Sequence, residues 1–341
     1  MMPPTDSRLA RACDVAAWML AATGLLLILV LHLVPALLSG LLIYELVRVL
    51  TPWLHIGRIR GRQARLAAVA LLVLVIAALF TLAVAGLIAF VRSEAGSVPA
   101  LLQTLADVID RWRSTLPPAI VSHLPADLDE LQLLAVTWLR GHAGAIQHVG
   151  TEAGRGLAHI LIGIGVGSLV ALHEARVPEA LGPLAQALEA NAVRLADAFR
   201  RVVFGQVRIS AINAALTAVY LLAVLPLAGI HLPFAKTMVG VVFVIGLVPI
   251  VGNLVSNTIV VVLSLSVSID AAIASLIFLV AIHKLEYFLN AHIVGAQIHA
   301  HAWELLVAML VMEAAFGVPG LVAAPVCYAY LKGELTDRML V

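Results

Sequence analysis

A chain of 341 residues that is 62% hydrophobic and 12% charged, with a mean hydropathy of +1.05, lies far outside the balance of a soluble globular domain, where about a quarter of residues are charged. It reads as an integral membrane protein of the all-α class. The net charge of +1 gives no field to recruit nucleic acid, and Cys13 and Cys327, near opposite ends, form no CxxC pair and no His/Cys cluster, so neither a metal site nor a disulfide is expected.

A hydrocarbon core about 30 Å thick takes roughly 20 apolar residues per helical crossing. On that ruler the chain carries about eight transmembrane helices, one or more of them discontinuous or re-entrant. The start, with Arg8 and Arg11, has the look of a secretory signal, but the apolar run Val15 to Val34 exceeds the roughly 7–15 residues of a cleavable one. A retained span is expected. Pro35 to Leu50 makes the second span, in a tight hairpin turning near His32 and Pro35, and Leu66 to Val91 the third. Between them stand Arg48, Arg58, Arg60, Arg62 and Arg65 with no acid, which the positive-inside rule assigns to the cytoplasm together with the N-terminus.

Arg92 to Gly156 is the long polar region, with five arginines against seven acids, and it suits the far side of the membrane. Pro99 to Arg113 and Pro125 to Leu139 carry apolar residues at three- and four-residue spacing, the second with Asp127, Asp129 and Glu130 early, as helix starts prefer. A small external helical insert follows from this. The fourth span, Leu157 to Leu172, contains "GIGVG", where no strand precedes the glycines, so close helix packing through Gly163 and Gly167 is expected rather than a dinucleotide loop. Residues 173–204 read as a cytoplasmic amphipathic helix, Gln206 to Leu227 as an outward span, and Ile269 to Ile282 and Leu305 to Leu331 as the last two, the latter ending inside near Lys332 and Arg338. The expected domains are thus 1–91, 92–156 and 157–341, with both termini cytoplasmic.

The stretch Phe234 to Leu265 would be one long span were it not interrupted by "GLVPIVGNLVSN". Lipid offers no hydrogen bonds, so backbone freed at membrane depth survives only inside protein or beside a watery cavity. Pro249 lacks an N–H, Gly246 and Gly252 permit turns, and Asn253 and Asn257 supply amides that either meet a polar solute or serve as glue between helices. Downstream, Glu286 and Asn290 close an apolar run, with His292, His299, His301 and Glu304 beyond. His299 and His301 are two apart, not the i, i+4 spacing of a helical ligand pair. Glu313 stands alone in the last span, a carboxylate that either carries a proton or meets a partner on another helix. The pathway candidates are therefore Pro249, Gly252, Asn253, Asn257, Glu286, Asn290 and Glu313.

"FGQVRISAINAAL" (Gly205, Gln206), "GLVPIVGNL" (Gly246, Pro249, Gly252), "HKLEYFLNAHIVGAQIHAH" (Glu286, Gly295, His301) and "FGVPGLVAAPVCYAYLK" (Gly317, Gly320, Pro325), in that order behind a hairpin and an external insert, resemble the autoinducer-2 exporter family of bacterial transporters, the PerM-like permeases. The resemblance covers nearly the whole chain. It implies eight spans, secondary transport in the bacterial inner membrane without a cofactor, a homo-oligomer, possibly a pentamer, and structural or hinge roles for Gly205, Gln206, Gly246, Gly295, Gly317, Gly320 and Pro325. The absence of a GxxxxGK[ST] motif agrees with transport that does not use ATP. Three roles are open: export of a small polar solute, sodium/proton antiport, and a non-transporting scaffold acting through the insert. The chain departs from the family pattern at His292, Ala302, Asn253 and Glu313, of which His292, Asn253 and Glu313 add polar groups and point to a different substrate. Enzymatic activity is not expected, since no paired catalytic groups lie within the spans.

Overall fold

The computed structural model describes residues 7–54, 61–92, 103, 106–107, 109–110, 113, 125, 127–173, 181–247, 251–298 and 301–339, the side chains of 7–10, 83, 87, 90–92, 128, 251, 253–254, 286–298 and 302 excepted. Its helices are α1 (Ser7–Val30), α2 (Val34–Leu50), α3 (Arg62–Arg92), α4 (Leu128–Gly141), α5 (Ala143–His173), α6 (Pro183–Val219), α7 (Ala235–Ile245), α8 (Val251–Leu265), α9 (Ile269–Ile298) and α10 (Ala302–Asp337). Among the described residues no strand occurs. Six stretches of the described residues are long and apolar enough to cross a bilayer: Arg11–Val30, Val34–Leu54, Arg62–Gly86, Ala143–His173, Pro183–Leu227 and Trp303–Asp337. This is a multi-pass, all-helical membrane protein.

The chain forms two compact units, residues 46–162 with 168–175, and residues 1–45, 163–167 and 176–341. The first holds α3, α4 and most of α5. Asp127 caps α4 as its acid-rich start suggests, its carboxylate accepting the Glu130 N–H at 2.8 Å. Arg65 donates to the Ala171 carbonyl at 3.1 Å in the last turn of α5, a cation at the negative end of a helix. The helix expected over Pro99 to Arg113 lies mostly outside the described residues.

In the second unit α6 is the central strut, packed by α1, α7, α9 and α10. The α1–α2 turn falls where His32 and Pro35 place it, with His32 in the left-handed region at φ 57°. Gly163 and Gly167 pack tightly, as their spacing suggests: a Cβ on Gly163 would stand 2.2 Å from the Ala36 carbonyl oxygen, and one on Gly167 2.2 Å from that of Gly40.

Two elements differ from the sequence expectation, and a third, the interrupted stretch, takes the re-entrant form that the expectation allowed. The amphipathic segment and the span after it are one continuous helical stretch, Pro183–Leu227, with a π turn at Tyr220–Val224. Gly205 stands between the two halves, but a lone glycine weakens a helix interior by only about 1 kcal/mol without ending it, and no proline follows until Pro226.

The interrupted stretch is a helical hairpin rather than a kinked span. Ile245 lies against Gly252 near the turn, while Met238 and Val239 share a cluster with Val260 and Val261, a register in which later residues of one arm meet earlier residues of the other. With 11 and 15 residues, the arms reach only about 16 and 22 Å, short of a hydrocarbon core.

The last span also folds back on itself. Gly317, at φ 66° and ψ −153°, breaks α10 into arms 302–316 and 318–337. Glu304 then meets Tyr328 and Lys332, and Met312 meets Gly320, residues that a straight helix would hold as much as about 42 Å apart. The run Leu305 to Leu331 is thus two antiparallel arms rather than one crossing.

Candidate functional site

A helix end leaves carbonyls without intrahelical partners, and burial makes each costly. At the C-terminus of α7 the carbonyls of Val242, Phe243, Val244 and Gly246 each have a donor. Gly246 N–H donates to Val242 and Leu247 N–H to Val244, while two α6 side chains serve others: Ser210 Oγ donates to the Phe243 carbonyl at 2.6 Å and Gln206 Nε2 to that of Gly246 at 2.8 Å. Gly252 lets α8 approach so closely that a Cβ there would stand 1.9 Å from the Ile245 oxygen. The break is therefore built and held by protein. Gln206→Leu should remove the Gly246 carbonyl's buried donor and destabilise the protein by about 1–3 kcal/mol, read as a lowered unfolding free energy in detergent.

Gln206 and Ser210 begin a longer series. Gln206, Ser210, Asn213, Thr217 and Tyr220 follow one another at four, three, four and three residues, which is one face of a helix, and all are 1–8% exposed. The Tyr220 hydroxyl meets Ser275 Oγ of α9 at 3.0 Å, Ser275 meets Ser264 Oγ of α8 at 2.6 Å, and Ser264 donates to the Val260 carbonyl at 2.8 Å. Tyr220 opens the π turn and stacks on Phe278, ring centroids 3.9 Å apart. Such turns recur at functional positions of helices. Asn213 Oδ1 is fully buried and has no hydrogen-bond partner among the described residues. A polar face thus runs along α6, opposite the α7–α8 hairpin and the start of α9.

Gly205 and Gln206 lie buried on α6, Gly246 and Gly252 at the hairpin turn, Gly320 and Pro325 in the buried second arm of α10, and Gly317 at its turn. Asn257 is half-buried on α8, whereas Glu313 is exposed on the first arm of α10. Pro249 lies outside the described residues. Asn253, Glu286 and Asn290 have described backbones in α8 and α9 but side chains outside the description, as does His292, and Gly295 falls in α9.

What the sequence reading passed over is the rest of the α6 face, Ser210, Asn213, Thr217 and Tyr220. Each is too small or too neutral to interrupt hydropathy, but the 4-3-4-3 spacing of polar residues within an apolar run was there to be read. A second missed feature is the Glu304 clasp. Its carboxylate accepts from Lys332 Nζ at 2.5 Å and from the Tyr328 hydroxyl, and lies 3.2 Å from His301 Nδ1. Glu304 is 17% and Lys332 14% exposed, so the pair sits at the edge of the protein rather than deep within it. Among the described residues no group of three His, Cys, Asp or Glu side chains is placed to hold a metal ion.

The described residues thus form a polytopic helical membrane protein with two glycine-turned hairpins and a buried polar face in its second unit. The family model described as AI-2E family transporter matches residues 16–337, nearly the whole chain, and the protein belongs to that family. Comparison with curated proteins and with solved structures gives no match.

Proposed function

We propose that the protein is a secondary transporter that carries a small polar solute across the bacterial inner membrane along the polar face of α6. The observation that carries this reading is the run Gln206, Ser210, Asn213, Thr217 and Tyr220, buried against a hairpin whose arms are too short to span. Polar groups are retained at membrane depth at a cost, and broken helices beside them commonly serve solutes. Asn213 Oδ1 has an acceptor to offer, and the hydroxyls of Ser264, Ser275 and Tyr220 can exchange partners as a solute passes.

Asn213→Leu separates transport from stability. Removing a buried amide whose oxygen lacks a partner among the described residues should leave the unfolding free energy unchanged or raised, while solute flux falls at least about tenfold, the loss of one hydrogen bond to solute. Flux of labelled polar metabolites into proteoliposomes measures the second. Unchanged flux in a folded Asn213→Leu protein would sink the α6 pathway.

Sodium/proton antiport is the second reading, favoured by the Glu304 clasp. A carboxylate shared by Lys332 and Tyr328 at a hairpin edge has oxygens for which a cation can compete. A trapped pH dye under imposed sodium gradients separates the two: sodium-dependent proton movement lost in Glu304→Gln supports antiport, and none in wild type removes it. We place both termini in the cytoplasm on the arginines at 48, 58, 60, 62 and 65. A homo-oligomer is supported by Glu313, whose exposed carboxylate on an apolar arm needs water or another subunit rather than lipid.

A further inference from the structure

An apolar groove runs between α1 and α10 in the second unit, walled by Trp18, Leu25 and Leu29 on one side and Met312, Phe316 and Tyr330 on the other. It descends from a charged end to the Gly317 turn. At the charged end the Tyr330 hydroxyl is fully buried without a hydrogen-bond partner among the described residues, and its charged neighbours are Glu334, Arg194 and Arg338.

Those three form an unequal set. Glu334, 2% exposed, takes Arg194 Nε at 2.8 Å and Arg338 Nε at 2.7 Å. Both arginines are more than a third exposed, and the terminal nitrogens of Arg338 have no hydrogen-bond partner among the described residues. Arg201 reaches the same turn, its Nη2 lying 3.9 Å from where a Cβ on Gly333 would stand. Arg194 and Arg338 share the single carboxylate of Glu334, Arg201 lies beside them, and the other acids nearby are Asp337 of the same turn and Asp197 on α6.

We propose that this groove binds an anionic phospholipid, one acyl chain lying along α1 and α10 and the phosphate held by Arg338, Arg194 and Arg201. An apolar groove at membrane depth favours hydrocarbon over water. Guanidinium groups match phosphate oxygens with paired hydrogen bonds, and arginines left with donors to offer favour an anionic headgroup over one that carries a cation of its own. A lipid oxygen close to Tyr330 would also give that hydroxyl the acceptor it lacks. Charge complementarity and the unpartnered hydroxyl, at the same end of one groove, distinguish this from a generic lipid-facing surface.

The test uses full-length protein stripped of lipid in a neutral detergent, with retention read by native mass spectrometry and stability by thermal unfolding. Phosphatidylglycerol should be retained about tenfold more tightly than phosphatidylcholine of the same chains, the factor expected of one added charge-assisted contact, and should raise the unfolding midpoint. Ala22→Phe fills the groove without touching the arginines, and Arg338→Gln removes a headgroup donor while leaving Arg194 on Glu334; each should bring phosphatidylglycerol down to the phosphatidylcholine level. Equal retention of the two lipids overturns the proposal. So does inorganic phosphate that stabilises as well as the lipid, which would make this an anion site without a chain. Should Arg338→Gln fail to fold, Ala22→Phe decides: undiminished lipid retention, or a change in oligomer mass alone, overturns the groove as the binding place.

Discussion

Gly252→Val is expected to abolish transport and to lower the unfolding free energy by about 3 kcal/mol or more. A Cβ at residue 252 would stand 1.9 Å from the Ile245 carbonyl oxygen and 2.7 Å from its carbon, and neither is the movable end of a side chain. The hairpin arms must separate, and overpacking of this kind costs about 1–3 kcal/mol even before further consequences. Here the consequences are specific. Parting α7 from α8 draws the α7 carbonyls away from Gln206 and Ser210, so buried acceptors lose donors as well as packing.

A control lies on the same hairpin. Gly240, on α7, has nothing within 4 Å of a built Cβ, so Gly240→Ala should be neutral or stabilise by about 0.5–1 kcal/mol. Unfolding of the two variants in detergent, alongside wild type, checks both. If Gly252→Val melts with wild type, α7 and α8 do not approach as described.

Why one hairpin was legible and the other was not follows from their turns. Gly246, Pro249 and Gly252 interrupt the first with asparagines close behind, and a run of polar and helix-breaking residues in an apolar stretch announces itself. In the second, Gly317, Pro319 and Gly320 are set among alanines, valines and leucines, so hydropathy stays high through the turn and the segment reads as one crossing. Contacts such as those of Glu304 with Lys332 and of Met312 with Gly320, which local periodicity does not convey, reveal the fold-back. The glycines that pack against carbonyls were visible as spacing in Gly163 and Gly167. The α6 face was written just as plainly in Gln206, Ser210, Asn213, Thr217 and Tyr220, but a few small or neutral polar residues leave the hydropathy of a span nearly unchanged. What periodicity lacks is the identity of the partner, and that is supplied by α7 and α9.

The fold-back of α10 rests on the backbone of one residue. At φ 66° and ψ −153° Gly317 occupies a region that is essentially restricted to glycine, and a β-branched side chain there costs on the order of 1–3 kcal/mol. Gly317→Val should therefore drive the backbone toward helical angles, and the two arms toward one rod. Spin labels at Trp303 and Thr336, both exposed, report the change directly. In the hairpin, arms packed about 8–10 Å apart hold the labels within about 20 Å of each other. A continuous helix of the same residues would set them about 50 Å apart. The clasp resists this, since Glu304 would part from Lys332 and Tyr328, so the expected result is a new long-distance population beside the short one, growing when Glu304→Gln is added. Gly317→Ala, with a smaller side chain, should show less of it. A single short distance in Gly317→Val, with or without Glu304→Gln, would mean that packing of Gly320 on Met312 and Phe316 fixes the fold-back, and that the strained glycine follows from it.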